Sequence, residues 1–250
     1  MMSRAASLRL GIVAIALVAL EVACRSGAIS DKVLVAPSRM VIAMAELLAS
    51  GELLPDLEQT FSAVGIALCA SVAGGVAAGL ALHAMPVVRH ALEPYLGAYY
   101  AIPHFAFYPL LVVMFGLGVM PLVLLASLFS MVVVIAATLT GLDRVPRVLL
   151  KTALLYRMTP WQSFWSIRLP AALPHLLSGV KLAVSYCFIA VIGGEFIMST
   201  SGVGHQIALA YDNFQGARMY GLIVLVLLIT VTTNMLLYGY ERLAARRRGA

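Results

Sequence analysis

The stretch that decides the fold runs Asp143-Arg144-Val145-Pro146-Arg147, through Leu149 to Met158, then Thr159-Pro160-Trp161-Gln162, and closes on Leu169-Pro170-Ala171-Ala172-Leu173-Pro174 before Gly179. It is a charged, proline-punctuated loop, about residues 143–175, set in a chain of 250 residues that is 62% hydrophobic and only 11% charged. A soluble domain carries roughly 25% charged residues. The apolar excess is too large for a buried core, so lipid is the main solvent. A polytopic membrane protein seldom keeps a long basic loop with its own helix signals unless something docks there.

Outward from the loop, the apolar runs are long enough for spanning helices, which need about 20 residues each. Six candidates stand out: about Leu8–Ala23, Phe61–Met85, Tyr95–Gly116, Met120–Leu142, Leu176–Met198 and Tyr220–Tyr240. Backbone polar groups in lipid must pair within helices or a closed barrel. These continuous runs lack the alternation of a barrel wall. The expectation is an all-α polytopic membrane protein forming one transmembrane domain over residues 1–250. It has an N-terminal helix at about 8–23, a core at about 58–240 and a basic tail at 241–250. Arg4 and Arg9 before the first run suggest a signal peptide, and Cys24 a lipidated cysteine. Glu21 sits where lipidation wants an aliphatic residue, and five more spans follow, so the run is taken as a retained helix.

Lys and Arg gather in cytoplasmic loops. With the N-terminus inside, the inner segments hold twelve of the seventeen basic residues: Arg4, Arg9, Arg89, Arg144, Arg147, Lys151, Arg157, Arg168, Arg242 and Arg246 to Arg248. The first outer loop is instead acidic, with Asp31, Glu46, Glu52, Asp56 and Glu58. Both termini are therefore expected in the cytoplasm. The net charge of +6 speaks to orientation and calls for no nucleic-acid partner. Between Pro37 and Glu58, Met40, Val41, Met44, Leu47 and Leu48 repeat at helical spacing, as in an interfacial helix or an amphipathic connector.

Inside the loop, Thr159 can cap a helix, Pro160 suits its first position and Gln162 can reach back to the cap. Pro170 is expected to end that helix, because the residue before a proline is pushed out of helical geometry. Val148 to Met158 forms a second short helix with a turn at Thr159. The exposed side of the pair carries both tryptophans, Trp161 and Trp165, with Phe164, beside Lys151, Arg157 and Arg168. Aromatic and Arg side chains are favoured anchors at protein interfaces; a membrane-surface aromatic belt is the alternative.

These residues resemble the cytoplasmic coupling loop of permease subunits of binding-protein-dependent ABC importers. That loop begins Glu-Ala-Ala, has a Gly four residues on, and ends Leu-Pro, three residues, Pro, with a Gly five further along. Here the end is intact: Leu169, Pro170, Pro174 and Gly179. At the start, Lys151-Thr152-Ala153 replaces Glu-Ala-Ala and Arg157 replaces the Gly, a bulky residue that argues against the tightest turn. Pro103, Pro109 and Phe115-Gly116-Leu117-Gly118 resemble the nitrate/sulfonate/taurine branch, as do Gly194-Glu195-Phe196 and Ser201-Gly202-Val203-Gly204. The likeness covers most of residues 50–240.

The resemblance implies a type I importer permease in a bacterial inner membrane. Its partners would be ABC ATPase subunits, an extracytoplasmic solute-binding protein and a second permease copy. ATP and Mg would belong to the ATPase, and this chain would carry no cofactor. The solute would be a small organic anion such as a sulfonate or taurine, or nitrate, with vitamin-like heterocycles as an alternative.

The residues themselves offer no catalysis. No phosphate-cradling G-x-x-x-x-G-K-[ST] loop occurs. The five histidines are scattered without metal-ligand spacing, and Cys24, Cys69 and Cys187 read as apolar packing residues. A standalone carrier would often show internal repeats, and the halves are not alike. Ser71, Gly75 and Gly79 form a small-residue face for helix packing, within one subunit or between two. Glu195, an acid in an apolar run, marks either the translocation pathway or a structural hydrogen bond. His104, Phe105 and Tyr186 are further pathway candidates.

Overall fold

The computed structural model describes residues 4–30 and 33–247; Asp31, Lys32 and Arg248 of the charge pattern lie outside them, as do the side chains of Arg4, Arg9, Arg242, Arg246 and Arg247. Among the described residues every regular element is helical. The helices are α1 (Arg4–Arg25), α2 (Pro37–Ser50), α3 (Leu54–Ala84), α4 (Pro86–Ala98), α5 (Tyr108–Phe115), α6 (Val119–Asp143), α7 (Arg147–Leu155), α8 (Pro160–Ser163), α9 (Leu169–Met198), α10 (Val203–Asp212) and α11 (Gly216–Arg247). Among the described residues, four stretches are long and apolar enough to cross a membrane: Leu54–Ala84, Val119–Asp143, the continuous Pro160–Met198 and Gly216–Gly239.

Helix α6 is the centre, packed against α3 on one side and α9 on the other. Close approach depends on absent side chains. A Cβ at Gly75 would lie 2.6 Å from the Val134 Cβ, and one at Gly79 would lie 2.7 Å from the Thr138 Cβ. Ser71 is fully buried. The Ser71-Gly75-Gly79 face is thus consumed inside this chain against α6, as small residues allow. On the other side Gly179 meets Ala137 so closely that a Cβ would overlap it. Gly179, the last residue of the loop motif, therefore marks the α6–α9 crossing.

Two expectations change. The run Tyr95–Gly116 is not one helix. It becomes the end of α4, 3-10 turns at Tyr99–Ala101 and His104–Phe107, and α5. Pro103 causes the break: Ile102 before it is driven to an extended conformation, φ −78° and ψ 128°, as the Pro ring requires. Pro109 then suits the first turn of α5. Secondly, Pro170 does not end a helix. Phe164–Arg168 forms a π turn in which the Leu169 amide donates to the Phe164 carbonyl, five residues back. One wide turn re-phases the chain, so the helix runs on through Pro170 and Pro174.

Helix α2 does more than lie at an interface. Met44 and Leu47 join the cluster of Leu53, Val203, Ile207 and Leu222, and a Cβ on Gly221 of α11 would come within 3.0 Å of the Met44 amide. Helix α1 is tied to α2 through Glu21, which accepts the Ser38 amide at 3.0 Å and the Ser38 hydroxyl at 2.6 Å.

Candidate functional site

The loop at the end of α6 is built from three local devices. The first is an ion pair at its root. Arg89 donates through both guanidinium nitrogens to Asp143, at 2.8 and 2.6 Å, which holds the Arg89 pKa above its ordinary value. Such fork-on-fork pairing fixes geometry as well as charge. It fastens α4 to the last residue of α6.

The second device ends α7. The Met158 amide donates to the Ala153 carbonyl at 2.9 Å and the Arg157 amide to the Leu154 carbonyl at 3.0 Å. This is the six-to-one, five-to-two pattern of a Schellman turn, whose C′ residue is usually a left-handed glycine. Arg157 occupies that position with φ +51°. The tight turn is therefore kept and the arginine accepts the strain, contrary to the expectation that its bulk loosens the turn. Ala153, buried at 5% exposure, lies under the turn.

The third device starts the next helix. The Thr159 hydroxyl accepts from the Gln162 backbone amide at 3.2 Å, and the Gln162 side-chain Oε1 accepts from the Thr159 backbone amide at 3.0 Å. This capping box is the one read from Thr159-Pro160-Trp161-Gln162.

Between these fixed points the aromatic residues face outward. Trp161 is 70% exposed and Trp165 51%. Trp161 stacks on Phe164 at 6.5 Å, and Trp165 stands edge-on to both at 5.5 and 5.4 Å. Leu154, Leu155 and Tyr156 are also exposed, as are Lys151, Arg157 and Arg168. Leu169, Pro170 and Pro174 sit on the rising helix behind this patch. Packed inside a single chain, the rings have no core to enter; they form a preassembled apolar surface edged by cations.

The other candidates lie far from the loop. Glu195 is fully buried. It accepts the Thr60 hydroxyl at 2.9 and 3.0 Å and the Gly204 amide at 2.9 Å. Thr60 in turn accepts the Val203 amide at 3.0 Å, and Asp56 accepts the Gly202 amide at 2.7 Å. Three successive amides at the start of α10 are thus each met by an acceptor from α3 or α9, satisfying donors a helix start leaves open. Gly202 takes φ +102°, and a Cβ there would strike the Glu195 carboxyl. Thr60 escaped the sequence reading, and Asp56 entered it only as one acid of the first outer loop; the available signal was an acid one turn before a long apolar run.

His104, Phe129 and Tyr186 form an aromatic row, with centroids 4.1 and 4.7 Å apart. The row joins two of the pathway candidates through a residue not singled out from sequence. Phe105 packs instead against the bare backbone of Gly193, where a Cβ would approach its ring at 2.5 Å. Among the described residues no group of three His, Cys, Asp or Glu could hold a metal ion.

The sequence profile of the binding-protein-dependent transport system inner membrane component matches residues 70–249. The chain belongs to that family. Similar relatives of this transport family include the taurine transport system permease protein TauC of Escherichia coli (strain K12), 30% identical over 60% of this chain and 55% of the relative. The riboflavin transport system permease protein RibX of Chloroflexus aurantiacus is 31% identical over 64% of this chain and 59% of its own length. The putative aliphatic sulfonates transport permease protein SsuC of Bacillus subtilis (strain 168) is 26% identical over 86% and 78%. The matched region spans a little under 60% of the first two relatives. A solved inward-facing MetNI methionine ABC transporter superposes with a TM-score of 0.67, 15% identity, and coverage of 76% of this chain and 94% of that chain. The fold is that of a type I importer permease, an all-helical membrane architecture.

Proposed function

We propose that this chain is the membrane-spanning permease subunit of an ATP-driven importer. It takes a small solute from an extracytoplasmic binding protein and passes it across the bacterial inner membrane. The observation that carries the reading is the loop of residues 143–175: two short helices, braced at three points, holding exposed Trp161 and Trp165 against a half-buried Phe164, beside Lys151, Arg157 and Arg168. An amphipathic helix with apolar anchors suits a groove on a partner. The partner is an ABC ATPase, which binds ATP and Mg; the permease itself is non-catalytic. Two permease copies form the pathway, and both termini face the cytoplasm.

The taurine and sulfonate relatives support a small organic anion as the solute. Glu195 is fully buried and bonded to Thr60 and Gly204, which supports a structural role for it over a place in the path of an anion. The riboflavin relative favours a second reading, a vitamin-like heterocycle.

Affinity purification of the tagged permease from its own membranes, followed by reconstitution, tests the proposal. An ATPase with a phosphate-binding loop should copurify, and uptake should require ATP. A reconstituted permease that moves solute with no ATPase present would establish a standalone carrier or channel instead.

A further inference from the structure

Among the described residues, only two that are not glycine take a positive φ: Arg157 at +51° and Phe214 at +55°. Both occupy the same place in the same turn. The Phe214 amide donates to the Tyr211 carbonyl at 3.0 Å and the Gln215 amide to the Ala210 carbonyl at 2.8 Å, so Phe214 is the C′ residue that closes α10. Glycine would be strainless there. A phenylalanine is strained, and its packing gives nothing back, for Phe214 is 97% exposed. Strain held at an exposed position points to function.

The surroundings are rigid and chemically distinct. Helix α10 is pinned at its start by Asp56, Thr60 and Glu195, so its far end projects Phe214 from a fixed base. Beside the ring lies a cleft of about 660 Å³ lined by Val33, Ala210, Tyr211, Met219 and Tyr220. A separate hollow, between α2 and the first turn of α11, carries Glu46, Glu52 and Arg218. Arg218 approaches Glu52 at 3.9 Å, which leaves an acid excess in that second hollow. The surface fits a partner with an apolar socket bordered by Lys or Arg. A second copy of this chain is a poor match, because Arg25 and Arg218 already engage Glu21 and Glu52.

We propose that Phe214 is a docking knob for the extracytoplasmic binding protein, entering an apolar socket while Glu46 and Glu52, in the separate hollow against the first turn of α11, meet basic residues of the same partner. This inference rests on the importer reading, which places α10 on the outer side, across the membrane from Trp161.

The test uses the permease–ATPase complex in nanodiscs. The probe is the secreted solute-binding protein that raises ATP hydrolysis by the wild-type complex. Phe214→Gly removes the knob and the backbone strain together, so its thermal midpoint holds or rises. The expected result is at least a tenfold higher concentration of binding protein for half-maximal stimulation, with a smaller shift for Tyr211→Ala. Unchanged half-saturation in both variants overturns the role of Phe214 alone. A change in the number of permease copies per complex, read by native mass, would make Phe214 a permease–permease contact and overturn it too. If no secreted protein stimulates the wild-type complex, the importer reading fails and takes this proposal with it.

Discussion

The Thr60 hydroxyl lies 2.9 and 3.0 Å from the two carboxylate oxygens of Glu195, 135 residues away in the chain, and accepts the Val203 amide at 3.0 Å. One hydroxyl thus joins α3, α9 and the start of α10. Thr60→Val keeps the volume but removes a donor from a buried acid and an acceptor from a buried amide. Each loss costs about 1–3 kcal/mol. The purified variant should lose about 3 kcal/mol of stability, read by thermal or denaturant unfolding in detergent micelles, whereas Ser62→Ala on the exposed side of the same helix should change little.

Arg157 bears left-handed backbone strain of about 1–2 kcal/mol. Arg157→Gly should therefore slow hydrogen exchange at the Met158 amide, which closes the turn on Ala153. Transport is expected to be kept or improved. Complete loss of transport with a tighter turn would mean that the guanidinium itself contacts the ATPase.

Trp161→Ala removes the most exposed ring of the cluster, and Phe164→Asp puts a charge in its middle. Interface anchors typically contribute about 2 kcal/mol or more, so ATPase retention on the affinity column should fall roughly thirtyfold in affinity. Membrane insertion should be unchanged, as judged by the amount of full-length chain in carbonate-washed membranes. Undiminished retention in both variants would move the docking face elsewhere.

Thr159→Ala removes one half of the capping box with Gln162. The local cost is about 1 kcal/mol. It should show as faster hydrogen exchange of the Gln162 and Ser163 amides, with the unfolding midpoint of the spans nearly constant.

Gly179→Leu forces a side chain onto Ala137 at the α6–α9 crossing. Overpacking of this kind costs about 1–3 kcal/mol. The paired change Gly79→Leu opposite Thr138 should be comparably harmful; because Ala137 and Thr138 are consecutive on α6, the double variant should depart from the sum of the singles. Unfolding of the single and double variants measures this.

The spans that were legible from sequence were those with uninterrupted apolar character, such as Val119–Asp143. The stretch around Pro103 was not, because hydropathy does not register a missing amide hydrogen. Pro170 misled for the opposite reason: a π turn at Phe164–Arg168 supplies the extra residue that lets a helix carry prolines, and nothing in the local composition announces it. The capping box at Thr159 was legible because all its parts lie within four residues. The Glu195 network was not, because Thr60 and Asp56 reach it across more than 130 positions. The left-handed state of Arg157 was readable only as the place where similar permeases carry glycine, since no arginine signals it by itself.

The continuous helix from Pro160 to Met198 has 39 residues, about 58 Å at 1.5 Å per residue. One end carries Trp161 and the other carries Glu195, with no break between them after the π turn. A rod of that length acts as a lever: tilting it by about 10° about the Trp161 end carries the Glu195 end roughly 10 Å sideways. A push on the aromatic cluster would be felt at the Gly202–Gly204 turn without any hinge having to form along the rod.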